Sequence, residues 1–286
     1  MVAPLYSPRA VSGSGKEGGL QIAWDVGLQG LVVVTIGGLI LWAVSLTLAD
    51  AGIADTFWGI GFVLLAGLYA NRTNGWAIRS GLVMGLVTIW GIRLALHIHG
   101  RNRGQPEDPR YAAWRAATGP SFWWKSLFTV FILQGVLLWI ISAPLLAAQS
   151  SPRPTSVTAF DMIGTAIWLV GFTFEAVGDA QLRAFKKDPA NVGKVLETGL
   201  WRFTRHPNYF GDSVVWWGLY LVAAGVPGGP WTVFGPILMT VLLVRISGVP
   251  LLEKGLGRTR PGYPEYAART SAFLPLPPKR SGPRDR

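Results

Sequence analysis

Between Leu196 and Gly218 the chain reads LETGLWRFTRHPNYFGDSVVWWG, which sets Arg202, Arg205, His206, Asn208, Tyr209 and Asp212 directly against the start of an apolar helix. Guanidinium, imidazole, carboxamide and carboxylate groups in one short loop suit an anionic ligand that also offers polar ring substituents. Just upstream, Asp179, Arg183 and Lys186 fall at spacings of four and three, so they share one helical face, and Glu175 lies one turn earlier on it. That stripe begins inside an apolar run. Ionisable groups are costly in lipid, so the face is expected to line a cavity.

A nicotinamide dinucleotide phosphate matches this inventory. Arg183, Lys186, Lys187, Arg202, Arg205 and Arg269 offer donors for its phosphates, Asn208 for the carboxamide, and Asp179 or Asp212 acceptors for a ribose hydroxyl or the carboxamide amine. Further acids and bases sit at the edges of other apolar runs. Asp55 opens one of them, where an N-cap is its ordinary role. Arg93, His97 and Arg101 follow at intervals of four on another. His97 and His99 make a poor metal pair, because residues two apart on a helix point in nearly opposite directions, so no metal is expected. Gly13, Gly15 and Gly18 spell GxGxxG, but no strand precedes them and no βαβ unit follows, so no dinucleotide fold is expected there.

The elements that must position these groups are membrane helices. Half of the 286 residues are hydrophobic, 14% are charged and 14 are Trp, a composition outside the soluble range. Apolar runs at 27–48, 52–70, 78–98, 124–147, 157–178, 209–226 and 230–249 predict an all-α polytopic membrane protein of about seven spans. The first run follows a long polar stretch and is too long for a cleaved signal, so it is expected to remain in the mature protein. Residues 1–24 read as a flexible arm, 25–278 as the membrane domain with its cofactor part at about 157–278, and 279–286 as a disordered basic tail meeting anionic lipid. The net charge of +11 needs no nucleic acid to explain it. Arg9, Lys16, Arg72, Arg79 and Arg153 fall on one side of the seven expected spans and the other 21 of the 26 Lys and Arg on the opposite side. By the positive-inside rule that opposite side is cytoplasmic. The chain has no cysteine, so thiolate chemistry is absent.

The block RFTRHPNYFGD, with GDAQLRAFKKDP before it and VPLLEKGL and YPEYAARTSAFLP after it, resembles the bacterial membrane relatives of steroid 5-alpha-reductases, over about residues 50–278. The resemblance implies a seven-helix reductase of the bacterial inner membrane that holds NADPH on its cytoplasmic side and takes a lipophilic substrate from a cavity open sideways to lipid. It implies cofactor contacts from Asp179 and Arg183, an Asn and acid around the nicotinamide at Asn208 and Asp212, and a family arginine at Arg245. It also implies a carboxylic acid on helix two, matched by Asp55, and a tyrosine on helix three, where this chain has Ile98 between His97 and His99. The same RHPxYxG pattern, with Glu253, Tyr263 and Tyr266, is similar to the isoprenylcysteine and phospholipid methyltransferases, which bind S-adenosylmethionine.

Reduction of an enone needs a hydride at the β-carbon and a donor at the carbonyl oxygen. Asp55 and His97 are the expected donors, with His99 in reserve. For topology the expectation is concrete: reporter fusions place the end after Arg286 in the cytoplasm and the end before Val2 outside. A cytoplasmic amino terminus would overturn this orientation.

Overall fold

The computed structural model describes residues 14–246 and 248–279. Its helices run α1 (Ser14–Leu48), α2 (Ile53–Arg72), α3 (Ala77–Asn102), α4 (Pro109–Thr118), α5 (Phe122–Ser126), α6 (Leu133–Ile141), α7 (Ala143–Ser150), α8 (Ala159–Lys187), α9 (Pro207–Ala224), α10 (Phe234–Val241), α11 (Val249–Thr259) and α12 (Tyr263–Arg269). A π-helical turn, Leu127–Ile132, joins α5 to α6, and a second, Leu242–Ile246, follows α10. No strand occurs among the described residues, the only extended pairing there being the isolated bridge between Thr204 and Ser271.

Among the described residues, six helical stretches are long and apolar enough to cross a membrane: Gln21–Leu48, Ile53–Arg72, Ala77–Asn102, Pro109–Ile141, Ala159–Lys187 and Gly229–Ile246. The run expected as a seventh span is α9, which falls outside that set because Asn208, Tyr209 and Asp212 occupy its first turns. Those polar residues are instead packed inward against α8. The amino-terminal arm expected at 1–24 is also shorter than its composition implies, because α1 is already helical from Ser14. Residues 1–13, with the first glycine of GxGxxG, lie outside the described residues, as does the basic tail beyond Lys279.

The pairs α2–α3 and α8–α9 approach at backbone distance. A Cβ on Gly59 would stand 2.3 Å from the Gly91 carbonyl oxygen, and one on Gly211 would stand 2.4 Å from the Glu175 nitrogen and 2.5 Å from the Gly171 oxygen. Small residues let membrane helices meet this closely where no hydrophobic effect drives them together. The core between the pairs is aromatic. Trp216 meets Phe62 at 4.3 Å between ring centroids and Trp90 edge-on at 5.6 Å, and all three side chains are fully buried. Trp90 and Trp216 therefore form the core, whereas Trp123 and Trp124 lie exposed.

Hydrogen bonds show which loops share an end. The Ala51 N–H donates to Glu107, joining the α1–α2 and α3–α4 connections. At the other end Trp76 N–H donates to the Ser151 carbonyl, and the buried Arg79 Nε donates to Asp161 at 2.9 Å. The first residues of α2, α4 and α9 and the last of α3 and α8 accordingly gather at one end, where the polar chemistry collects.

The α8–α9 approach gives a direct check. Gly211→Ala should cost about 1–3 kcal/mol through overpacking, whereas Gly85→Ala, which meets nothing within 4 Å, should be neutral or stabilising. Thermal unfolding in detergent compares them, and equal midpoints would refute the close-packing account.

Candidate functional site

Asp108 caps α4, accepting the Arg110 N–H at 2.9 Å, and Pro109 occupies the first turn where its missing N–H costs nothing. This start turns Arg110 and Tyr111 back toward α2. There Asp55 accepts the Tyr111 hydroxyl at 2.7 Å and Arg110 Nη2 at 2.5 Å. Gln134, in the first turn of α6, donates to the Tyr111 oxygen at 3.2 Å and to Asp55 at 3.4 Å. Asp55 is thus not the helix cap that its position allows: Gly52 holds the cap position without a side-chain bond, and Asp50 receives the Gly52 N–H. Glu107 and Asp108 both sit below the usual carboxylate range. In each, burial pushes up but hydrogen bonds from Arg115 and Arg110, respectively, outweigh it.

A second cluster faces this one. Glu175 accepts Trp90 Nε1 at 2.8 Å and Arg93 Nη1 at 2.6 Å, and Arg93 also bonds Asp179. Asn208 donates to Asp179 at 3.0 Å. His97 lies between Asp179, 3.6 Å from its Nε2, and Arg183, which donates to its Nδ1 at 2.6 Å. Asp212, one turn beyond Asn208, has a buried Oδ1 with no hydrogen-bond partner among the described residues.

Both clusters line one cavity of about 470 Å³, the first through Asp55, Tyr111 and Gln134 and the second through Asp179, Asn208 and Asp212. Glu175, His97 and Tyr209 also line it, as does Ile98. Residues 41–270 match the family described as "Protein of unknown function (DUF1295)". The chain belongs to this family.

Among curated proteins, an "uncharacterized protein" of Schizosaccharomyces pombe is 26% identical over 275 residues, 86% of this chain and 78% of that one. The "probable O-methyltransferase ustE" of Ustilaginoidea virens is 32% identical over 90 residues, 32% of each chain. "3-oxo-5-alpha-steroid 4-dehydrogenase 1" of Bos taurus is 32% identical over 73 residues, 26% of this chain and 28% of that enzyme. The chain therefore spans under a third of the steroid enzyme. No solved structure matches.

Not every expected site residue of this DUF1295 member reaches the cavity. His99 is exposed, facing away from His97 as helical geometry requires. Lys186, Arg202 and Arg245 are exposed as well. Arg205, His206, Glu253 and Tyr266 form a knot that holds the carboxyl-terminal segment. Arg205 donates to Glu253 at 2.7 Å and to the Ala267 and Thr270 carbonyls. His206 stacks on Tyr209 and lies 3.2 Å from Glu253, and Tyr266 donates to the Trp201 carbonyl. These groups already have partners within the protein.

Conversely, Arg110, Tyr111 and Gln134 escape a reading of the sequence. Two signals point to them: the Asp108–Pro109 helix start immediately before Arg110 and Tyr111, and the single amide of an otherwise apolar run at Gln134.

The knot is pH-sensitive. The hydrogen bond from His206, with Arg205 beside it, holds the Glu253 carboxyl below its ordinary value against partial burial. Its stabilisation is present above the unfolded value, roughly pH 4, and lost as pH falls through the folded one. Glu253→Gln should therefore lower the melting temperature at neutral pH and cost progressively less on acidification. A difference independent of pH would overturn this account.

Proposed function

We propose that the cavity holds a nicotinamide dinucleotide phosphate against its Asp179–Asn208–Asp212 wall and that the protein reduces a carbon–carbon double bond conjugated to a carbonyl in a lipophilic, steroid- or isoprenoid-like molecule. The observation that carries this reading is that two unlike polar clusters line one largely apolar cavity. The residues fit the cofactor. The orphan Oδ1 of Asp212 suits a carboxamide N–H, and Asn208 stands one turn away to answer the carbonyl side. Arg183 at the end of α8 and Arg101 at the end of α3, with Lys186 and Arg260 close by, make a cationic rim suited to phosphates.

When bound, such a cofactor supplies a hydride; the rest is done by side chains. Tyr111 has one hydroxyl hydrogen, now given to Asp55. A carbonyl oxygen placed beside it competes for that hydrogen, while Arg110 and Gln134 continue to satisfy Asp55. The hydrogen bond strengthens as negative charge develops on that oxygen. His97, the other expected carbonyl donor, accepts from Arg183 at Nδ1 and lies with Nε2 3.6 Å from Asp179. The role of carbonyl donor passes to Tyr111, and that of the helix-three tyrosine implied by resemblance passes to a different helix. The short match to the steroid dehydrogenase supports the reductive reading.

A second reading is S-adenosylmethionine-dependent methyl transfer. The match to an O-methyltransferase and the acid-rich wall of Glu175, Asp179 and Asp212, which suits a cation, favour it.

Titration calorimetry of the detergent-solubilised protein with both cofactors separates the two. NADPH should bind, and Asn208→Ala should weaken it by about 1–3 kcal/mol. Tyr111→Phe should leave that affinity intact while lowering enone-dependent NADPH oxidation by roughly 100-fold. Tight S-adenosylmethionine binding with none of NADPH would sink the reductase reading.

A further inference from the structure

Among the described residues, three hydroxyl side chains line the cavity: Tyr111, Thr129 and Tyr209. Two of them are already committed. Tyr111 gives its hydrogen to Asp55 at 2.7 Å, and Thr129 gives its own to the Lys125 carbonyl at 2.7 Å, one turn back along the chain. Tyr209 differs. Its backbone N–H bonds the Asn208 side chain, but its phenol has no hydrogen-bond partner among the described residues. A hydroxyl at a cavity wall that no protein group answers can be taken by a ligand acceptor without breaking a bond inside the protein.

The ring that carries this hydroxyl is fixed. It stacks on His206, with the planes 9° apart and the centroids at 5.6 Å, and its edge lies against the backbone of Gly248, where a Cβ would come within 2.9 Å of Cε2. His206 is itself buried and lies 3.2 Å from Glu253. A phenol oxygen sits on the axis of its ring, so holding the ring places the oxygen and leaves only the hydrogen free to turn. The place in the fold matters as much. Tyr209 lies on α9 between Asn208 and Asp212, yet its phenol is within electrostatic range of Arg110 and Asp55 as well as Asp179. It is thus within range of both clusters. In an enone the carbon that takes the hydride and the carbonyl oxygen are joined by one short conjugated chain, so a donor to that oxygen has to stand close to the Asp179–Asn208–Asp212 side.

We propose that Tyr209 donates a second hydrogen bond to the substrate's carbonyl oxygen, beside Tyr111, so that the two lone pairs of that oxygen meet two phenols from different helices as negative charge develops on it. This rests on the reductase reading above and adds a catalytic residue to it. Tyr111 has to release Asp55 to reach the oxygen. Tyr209 releases no protein partner, and its fixed ring spares the reorganisation that a mobile donor would need.

The test uses the full chain in detergent and testosterone, a steroid enone with a single carbonyl, isotope-labelled at that carbon and read by infrared difference spectroscopy without NADPH, so that nothing turns over. Each hydrogen bond to a carbonyl lowers its stretching frequency. Tyr209→Phe should raise the frequency of the bound ketone, Tyr111→Phe should raise it too, and the double variant should raise it further than either. Because the phenol has no partner within the described protein, Tyr209→Phe should leave the melting temperature of the ligand-free chain unchanged, which separates loss of the donor from loss of the fold. With NADPH added, the same variant should lower kcat for enone-dependent NADPH oxidation by roughly 100-fold at unchanged NADPH affinity. A bound ketone whose frequency ignores Tyr209→Phe, or a variant that loses NADPH affinity instead, would overturn the assignment and leave the reductase reading standing. Failure of the ketone to bind the unaltered protein would remove the steroid-enone reading and this assignment together.

Discussion

Arg93 sits inside the helix bundle between two carboxylates, Glu175 and Asp179, that belong to a different helix. An isolated charge at that depth would cost several kcal/mol, and neither acid nor base is tolerable there alone. Together they are, provided that α3 and α8 keep one register. Trp90 adds its indole N–H to the same Glu175, and its ring is fixed by Phe62 and Trp216. The aromatic core and the polar cluster thus depend on one another: shifting either helix by a turn would strand a charge and open the core. With Asp212 beside them, these groups make a wall that offers acceptors to hydrogen-bond donors.

The second constraint is steric. Gly171 and Gly211 let α8 and α9 meet at backbone distance, which brings Asn208 within reach of Asp179. A polar helix start inside a membrane protein is affordable when its groups bond one another or a ligand. Asn208 is answered by Asp179; Asp212 is left to answer something else. The other cluster is organised by the Asp108 cap, which aims Arg110 and Tyr111 of α4 at Asp55. The cavity lies where these two arrangements meet.

Much of the fold is legible in the residues. The apolar runs fix the helical class and most of the spans, and the spacing of Glu175, Asp179 and Arg183 picks out one polar face of α8, because helical periodicity and the cost of charge in lipid act locally. An 18-residue apolar helix with a polar start reads as one more span, whereas membrane length and hydropathy single out six others. Arg205, His206 and Glu253 read as ligand donors from type and clustering alone, since nothing local discloses that a segment some fifty residues away satisfies them.

By itself the sequence determined that this is an all-helical membrane protein whose polar chemistry collects around residues 175–212, since both follow from composition and period. Only the tertiary structure decided which acid meets which base. Tyr111 and Asp55 are far apart along the chain and on separate helices, and no spacing rule relates them; they meet because a cap on one helix and a turn on another point inward at one cavity. Pairing across helices is set by packing, and packing depends on every contact at once.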